Sequence, residues 1–307
     1  MTTENNYVEE ILEHLRKKDS LHFKKVKKTV FDLQSTYKEE FEHFSKLLYK
    51  YFEKNQIRAE QMTDDYLRMV NDMRREGVYF KKSGKYSCLS QQEAFEKVYS
   101  NKSIMNYYMN ALLLSQILWP HHFKMLMYFN QQLNKDFVAR AQSVLDIGPG
   151  HGFFSNMIVE RLKNISKVDI VDISDESLAM TKAIIGTGEG RIKYLNKDIF
   201  MLETGDKYDL IIFGEVLEHL DHPDEVLRKL KNFLTPNGVL WLTTPTNAPA
   251  IDHIYLFRSK NDILKILSEA GLVVINEFGC YAENVSEEMA ERFSVSYLYG
   301  AFVKGNG

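Results

Sequence analysis

A chain of 307 residues, 44% hydrophobic and 26% charged, has the composition of an ordinary globular protein. That excludes peptide toxins, fibrous polymers and low-complexity chains, and leaves one large domain or two modest ones. With 39 Lys plus Arg against 42 Asp plus Glu the net charge is −3, so the overall balance does not call for a nucleic-acid backbone as partner. Cys88 and Cys280 stand far apart with no CxxC spacing, which argues against a disulfide framework or a cysteine zinc site. The opening MTTENNYVEEILEHLRKK lacks a basic n-region followed by an apolar core, and no apolar run reaches the length of a membrane span. The expectation is a soluble, cytoplasmic protein.

Residues 1–135 read as a helical region. Val8, Ile11, Leu12 and Leu15 form one apolar stripe, and Tyr37, Phe41, Phe44, Leu48 and Tyr51 form a second at heptad-like spacing. Such stripes build a core and also suit a homodimer contact. The basic run Lys24, Lys25, Lys27 and Lys28 reads as a solvated helix face. Gly77 and Gly84 bracket two short alternating segments, which predicts a hairpin over 77–89. Ser90 with Glu93 is then a capping box opening a helix, and the stretch after Ser103 is apolar nearly all round, hence buried on several sides. His121 and His122, after Pro120, are expected at the surface, a lid lining being the alternative.

Residues 136–307 change to short apolar runs alternating with helical stretches, which predicts an α/β domain. Strands are expected at Ser143–Ile147, Val168–Asp172, Ile192–Leu195, Leu210–Phe213, Val239–Thr243, Val273–Phe278 and Val295–Phe302. Helices are expected at Phe153–Lys163 and Ser177–Ile185 and from near Pro223 and Ser259.

Within that domain VLDIGPGHGFF, residues 144–154, places Asp146 at a strand end and Gly148, Gly150 and Gly152 in the turn into a helix. Glycines let a ligand approach the backbone, and the helix N-terminus offers free N–H groups. The spacing is neither GxGxxG nor a phosphate loop ending in GK[ST]. It resembles motif I of the class I S-adenosylmethionine-dependent methyltransferases. That resemblance implies a Rossmann-like, seven-stranded doubly wound sheet with S-adenosylmethionine as cofactor. It assigns Asp146, Gly148, Gly150, Gly152 and Phe153 to the methionine end. Asp172 with Ile173, ending the second strand, is assigned to the ribose, Asp169 being the alternative, and Asp198 with Ile199 to the adenine. The stretch YDLIIFGEVLEHLDHPDEVLRKLKNFLTPNGVLWLTTP, residues 208–245, is similar to the fourth strand, following helix and fifth strand of small-molecule methyltransferases. There Glu215 would lie on the cavity floor.

Methyl transfer to a hydroxyl asks for alignment and for a proton acceptor. His219 resembles the histidine base of small-molecule O-methyltransferases, with Glu218 one residue away as the other alignment, and His253 after the fifth strand is a second candidate base. Glu215, Glu218 and His219 also form ExxEH, which with His253 resembles the metal site of small-RNA 3′-terminal 2′-O-methyltransferases; the reading adopted expects no metal. Residues 75–130 resemble the end of the winged-helix dimerisation domain of aromatic and polyketide O-methyltransferases. Together these imply a homodimeric O-methyltransferase of specialised metabolism acting on a small molecule. N- or C-methylation, or an RNA or protein substrate, are the alternatives.

Overall fold

The computed structural model describes residues 4–306. Four long helices come first: α1 (Glu4–Lys18), α2 (Ser20–Thr36), α3 (Lys38–Lys54) and α4 (Ala59–Ser83). The periodic stripes are their buried faces, with Val8, Ile11 and Leu15 of α1 and Phe41, Phe44 and Leu48 of α3 inside. Asp19 separates α1 from α2 and caps the latter, accepting a hydrogen bond from the His22 amide at 2.9 Å. The four lysines of α2 are exposed, as their spacing predicted.

The hairpin expected over 77–89 is absent. α4 continues through Gly77, whose position is open to solvent on the side where a Cβ would stand, and ends only at Gly84. Gly84 adopts φ +67 and returns its N–H to the Phe80 carbonyl at 2.8 Å. One glycine inside a helix costs only about 1 kcal/mol, which packing elsewhere along this helix outweighs, whereas a left-handed C-terminal glycine stops it. The connector after it is tied to the other half of the chain: the Tyr86 hydroxyl accepts from the Ala248 amide at 3.0 Å, and the Gly84 carbonyl accepts from Arg258 at 3.0 Å. The winged-helix likeness therefore has no wing here.

α5 (Gln91–Ala94) runs into a π-helical turn, Phe95–Tyr99, followed by α6 (Lys102–Leu118), α7 (Pro120–Gln132) and α8 (Asp136–Ala139). Ser90 caps α5 through the Glu93 amide at 3.2 Å, but the Glu93 carboxylate reaches the amide of Leu89 instead of that of Ser90. α6 is buried on nearly every side, as its composition predicted.

The α/β part alternates β1 (Ser143–Ile147), α9 (Phe153–Arg161), β2 (Lys167–Asp172), α10 (Asp175–Ile185), β3 (Ile192–Asn196), β4 (Tyr208–Gly214), α11 (Pro223–Phe233), β5 (Leu234–Thr246), α12 (Lys260–Glu269), β6 (Leu272–Tyr281), α13 (Glu287–Phe293) and β7 (Tyr297–Gly305). The sheet order is β3-β2-β1-β4-β5-β7-β6, with β7 antiparallel to both neighbours. This is the expected Rossmann-like doubly wound sheet. β1 lies between β2 and β4, so the connections leaving β1 and β4 diverge at their carboxyl ends and open a crevice there.

Strand alternation divides the interior in two. Val144, Leu210, Ile212, Val239 and Trp241 face a core shared with the N-terminal helices, while Leu145, Ile211, Phe213, Leu240 and Leu242 face one shared with α11 and α12. The helical region and one face of the sheet thus have a common hydrophobic core. Among the described residues no helix is long and apolar enough to cross a membrane.

Candidate active site

The crevice carries the glycine loop. Gly148 has φ +66, and a Cβ there would stand 2.6 Å from Cγ2 of Val216. Gly152 has φ +76, and its Cβ would stand 2.9 Å from Cγ2 of Thr181 on α10, which packs behind the start of α9. Both positions therefore require glycine for conformation and for space. Asp146, 1% exposed, accepts a hydrogen bond from the Ser155 hydroxyl at 2.5 Å through Oδ2, while its Oδ1 is buried without a partner. Burial pushes this carboxyl up to about 7.

Glu215, Glu218 and His219 follow β4. Glu215 sits at φ +55, a left-handed conformation rare outside glycine, held by hydrogen bonds from its amide to the Thr243 carbonyl and hydroxyl at 2.9 and 3.0 Å. Its Oε1 is buried and unpartnered, and burial pushes the group up to about 7. Glu218, 1% exposed, accepts from the Thr244 hydroxyl at 2.8 Å through Oε2, leaving Oε1 unpartnered. Burial and then the charge of Glu215 raise it well above the usual carboxylate range. Its backbone carbonyl accepts from the amides of Ile254 and Tyr255 at 2.8 and 2.9 Å, which fastens the loop after β5 against the turn after β4.

That fastening brings His253 to His219. Their rings lie 4.8 Å apart at 87°, and ligating atoms of Glu218, His219 and His253 all fall within 4.8 Å of one another. His219 Nδ1 is 3.0 Å from the Asp252 backbone carbonyl and 3.0 Å from the Tyr99 hydroxyl; its Nε2 is 3.8 Å from Glu218 Oε1. His253 is 8% exposed, its Nδ1 has no partner, and burial pushes it down to about 4.

One cavity of about 640 Å³ joins these pieces. Asp146, Gly148, Gly150, Glu215, Glu218, His219 and His253 line it from below. Met69, Met73, Leu112, Trp119 and Met125 close it from the helical side. His121 and His122 also line it, which corrects the expected surface placement: α7 starts at Pro120 directly over the crevice, and burial pushes His122 down to about 4.

Other sequence candidates lie around this cavity without lining it. The Phe153 side chain is fully buried against Phe44, with ring centroids 5.3 Å apart, and Phe154 faces the cavity in its place. Asp172 ends β2 and accepts from the Ser174 amide at 2.8 Å and the Ser177 hydroxyl at 2.5 Å. Ile173 beside it is 36% exposed. Asp169, the alternative to Asp172, instead takes the Tyr208 hydroxyl at 2.7 Å and the Lys167 ammonium at 3.0 Å. Asp198 caps a short 3-10 turn through the Phe200 amide at 2.8 Å, and Ile199 is buried in the second core. Sequence reasoning missed Tyr99, Tyr108 and Asp252. Asp252 precedes a flagged histidine, but nothing local marks the two tyrosines, which come from the helical region.

A doubly wound sheet with a glycine loop at its switch point defines a nucleotide-cofactor enzyme fold, and comparison with known proteins gives the kind. Residues 126–277 match the family model described as a methyltransferase domain. A mitochondrial ubiquinone biosynthesis O-methyltransferase of Saccharomyces cerevisiae is 32% identical over 129 residues, 41% of this chain and 40% of that enzyme. The chain thus spans less than half the length of this curated relative. Among solved structures, an O-methyltransferase family protein from Burkholderia thailandensis superposes with a TM-score of 0.54 at 16% identity, covering 82% of this chain and 74% of that one. The N-methyltransferase NodS from Bradyrhizobium japonicum WM9, solved with S-adenosyl-L-homocysteine, gives a TM-score of 0.50 at 16% identity, over 71% of this chain and all of that one. At this identity the structural likeness concerns the fold. Residues 126–277 thus match a methyltransferase domain, and the NodS structure shows a domain of this fold with S-adenosyl-L-homocysteine bound. The residues present fit that group: the buried, unpartnered oxygen of Asp146 suits an ammonium, and the glycines leave backbone within reach.

Proposed function

We propose that this chain methylates a hydroxyl of a small-molecule acceptor, with residues 1–135 acting as roof and as the contact between two copies, and residues 136–307 as the methyltransferase domain. The observation that carries the reading is the shared cavity, lined at once by Asp146, Gly148 and Gly150 and by Glu218, His219 and His253. The bound cofactor supplies an electrophilic methyl group. Asp146 would hold its ammonium, Gly148, Gly150, Gly152 and the Phe153 amide its methionine end, Asp172 and Ile173 its ribose, Asp198 and Ile199 its adenine, while Glu215 forms the floor. His219 takes the acceptor's proton through Nε2, and His253 and Glu218 flank the hydroxyl. Met69, Met73, Leu112, Trp119 and Met125 favour an acceptor with an apolar body, and Lys25, Arg74 and Gln116 in the same lining suit a polar or anionic substituent on it. Exposed Leu21 and Phe31 on α2, 78% and 67% accessible, support pairing of copies through the helices; sedimentation would reveal a monomer if this part is wrong.

The test is incubation with methyl-labelled S-adenosylmethionine and fractionated extract of the source organism. Label in small molecules, lost in His219→Ala, supports the reading and shows whether the acceptor belongs to specialised metabolism. Label in RNA or protein overturns it, and identification of the product separates O- from N- and C-methylation.

One observation favours a second reading in which a divalent cation activates the hydroxyl. Glu218, His219 and His253 present ligand atoms within 4.8 Å, and Oε1 of Glu218 and Nδ1 of His253 have no other partner. Mn²⁺ binding followed by electron paramagnetic resonance, lost in Glu218→Gln, would make the histidines ligands instead of bases.

A further inference from the structure

The histidine that would accept the proton is gripped from behind by a network that crosses between the two halves of the chain. His219 Nδ1 faces two oxygens, the Asp252 backbone carbonyl and the Tyr99 hydroxyl, each at 3.0 Å. The carbonyl can only accept, so it calls for a hydrogen on Nδ1. The Tyr99 hydroxyl is ambivalent, because its proton could go to Nδ1 and force the opposite tautomer. The Asp252 carboxylate, 3% exposed, decides between them. Its Oδ2 lies 3.2 Å from the Tyr99 hydroxyl and accepts that proton, while its Oδ1 accepts from the Tyr108 hydroxyl at 3.2 Å. With its proton committed to Asp252, Tyr99 has only lone pairs to offer His219. Tyr99 ends the π-helical turn Phe95–Tyr99, a local irregularity of a kind that recurs at functional sites, and Tyr108 lies on α6.

We propose that Asp252 and Tyr99 are positioning residues that hold His219 with Nδ1 protonated and Nε2 free on the side of Glu218 and the cavity. The inference rests on the proposed role of His219 toward the acceptor. It makes the helical region part of the catalytic apparatus, since neither tyrosine belongs to the α/β part. When His219 takes a proton, the Asp252 carboxylate, 3.6 Å from Nδ1, also stands next to the new charge.

The experiment is nitrogen-15 NMR of the full chain with labelled histidine, metal removed by chelator, the His219 signal being assigned among the 9 histidines by its loss in His219→Gln. The wild type is expected to show the tautomer with Nδ1 protonated. In Asp252→Asn a single acceptor oxygen is left for the Tyr99 and Tyr108 hydroxyls, so the Tyr99 proton turns toward Nδ1 in part of the population. The opposite tautomer then grows and kcat falls about twofold or more, with cofactor affinity by calorimetry within about twofold of wild type. Tyr99→Phe added to Asp252→Asn removes the competing donor and restores the original tautomer, an outcome that a merely structural role would not produce. Predominance of the opposite tautomer in the wild type overturns the proposal even if no variant folds. So does wild-type turnover in both Asp252→Asn and Tyr99→Phe. Wild-type turnover in His219→Ala would instead overturn the assignment of the base while leaving the tautomer result intact.

Discussion

The rings of His219 and His253 meet nearly at right angles, 4.8 Å between centroids, although one follows β4 and the other follows β5. Burial pushes His253 down to about 4, with the neighbouring His219 adding to the effect, so His253 is neutral throughout the physiological range. In the proposed reaction a neutral imidazole beside an anchored one divides the labour, with His219 assigned to the proton and His253 to a hydrogen bond.

Exchange of either histidine for glutamine separates these roles. His219→Gln is expected to lower kcat by about 10²–10⁴, the usual range for loss of a general base. His253→Gln keeps a neutral hydrogen-bonding group and is expected to raise KM with kcat within about tenfold of wild type. Steady-state kinetics on the acceptor found by labelling would reverse the assignment if the two patterns were exchanged.

Asp172 and Asp169 lie on the same strand in different surroundings. Asp169 is engaged by Tyr208 and Lys167, so Asp169→Asn should cost about 1–3 kcal/mol of stability and leave cofactor affinity unchanged. Asp172, at the strand end beside the glycine loop, should behave oppositely: Asp172→Ala is expected to weaken cofactor binding by about 1–3 kcal/mol. Calorimetric titration with S-adenosylhomocysteine together with denaturant melts distinguishes the two, and equal cofactor affinity in both variants would remove Asp172 from the ribose site.

Gly148→Ala combines a left-handed backbone with a Cβ 2.6 Å from Val216. The backbone alone costs about 1–2 kcal/mol, and the clash displaces the turn assigned to the methionine end of the cofactor in the proposed reading. A fall in cofactor affinity of about tenfold or more is expected by calorimetry. Adding Val216→Ala relieves the clash but not the dihedral, so recovery should be partial; full recovery would mean that the conformation at Gly148 carries no cost.

His122 and His151 are both held neutral by burial, at about 4 and about 3. An unfolded histidine protonates near pH 6.5, so between that pH and the folded value the unfolded chain binds more protons than the native one. Their contribution to stability is therefore complete above about pH 6.5 and declines as the pH falls toward 4 and below. The loss is on the order of 1–3 kcal/mol for each half-buried ring. Melting temperatures recorded from pH 7 to pH 4 should fall, and His122→Gln should fall less steeply. Parallel curves for the two proteins would show that His122 keeps an ordinary affinity for protons in the fold.

Chain position alone makes much of this molecule readable. The motif from Asp146 to Gly152 is local, because a turn that needs left-handed glycines and close backbone approach has to be written in adjacent residues. β1, β4 and β5 are likewise legible as short apolar runs, since one face of each meets one core and the other face meets the second. Gly77 was misleading for the same local reason. A glycine signals a break only where packing does not carry the helix through it, and α4 passes Gly77 and stops at Gly84.

Tertiary structure decided the rest. The surroundings of Asp169 and Asp172 depend on Tyr208 and Ser177 reaching them across elements. His121 and His122 became cavity walls because α7 begins over the crevice. Tyr99 and Asp252 meet at His219 only after a π-helical turn of the helical region folds down on the loop after β5. Residues distant in sequence leave no periodic trace of such a meeting, because hydrogen bonds between side chains constrain positions in space and not intervals along the chain.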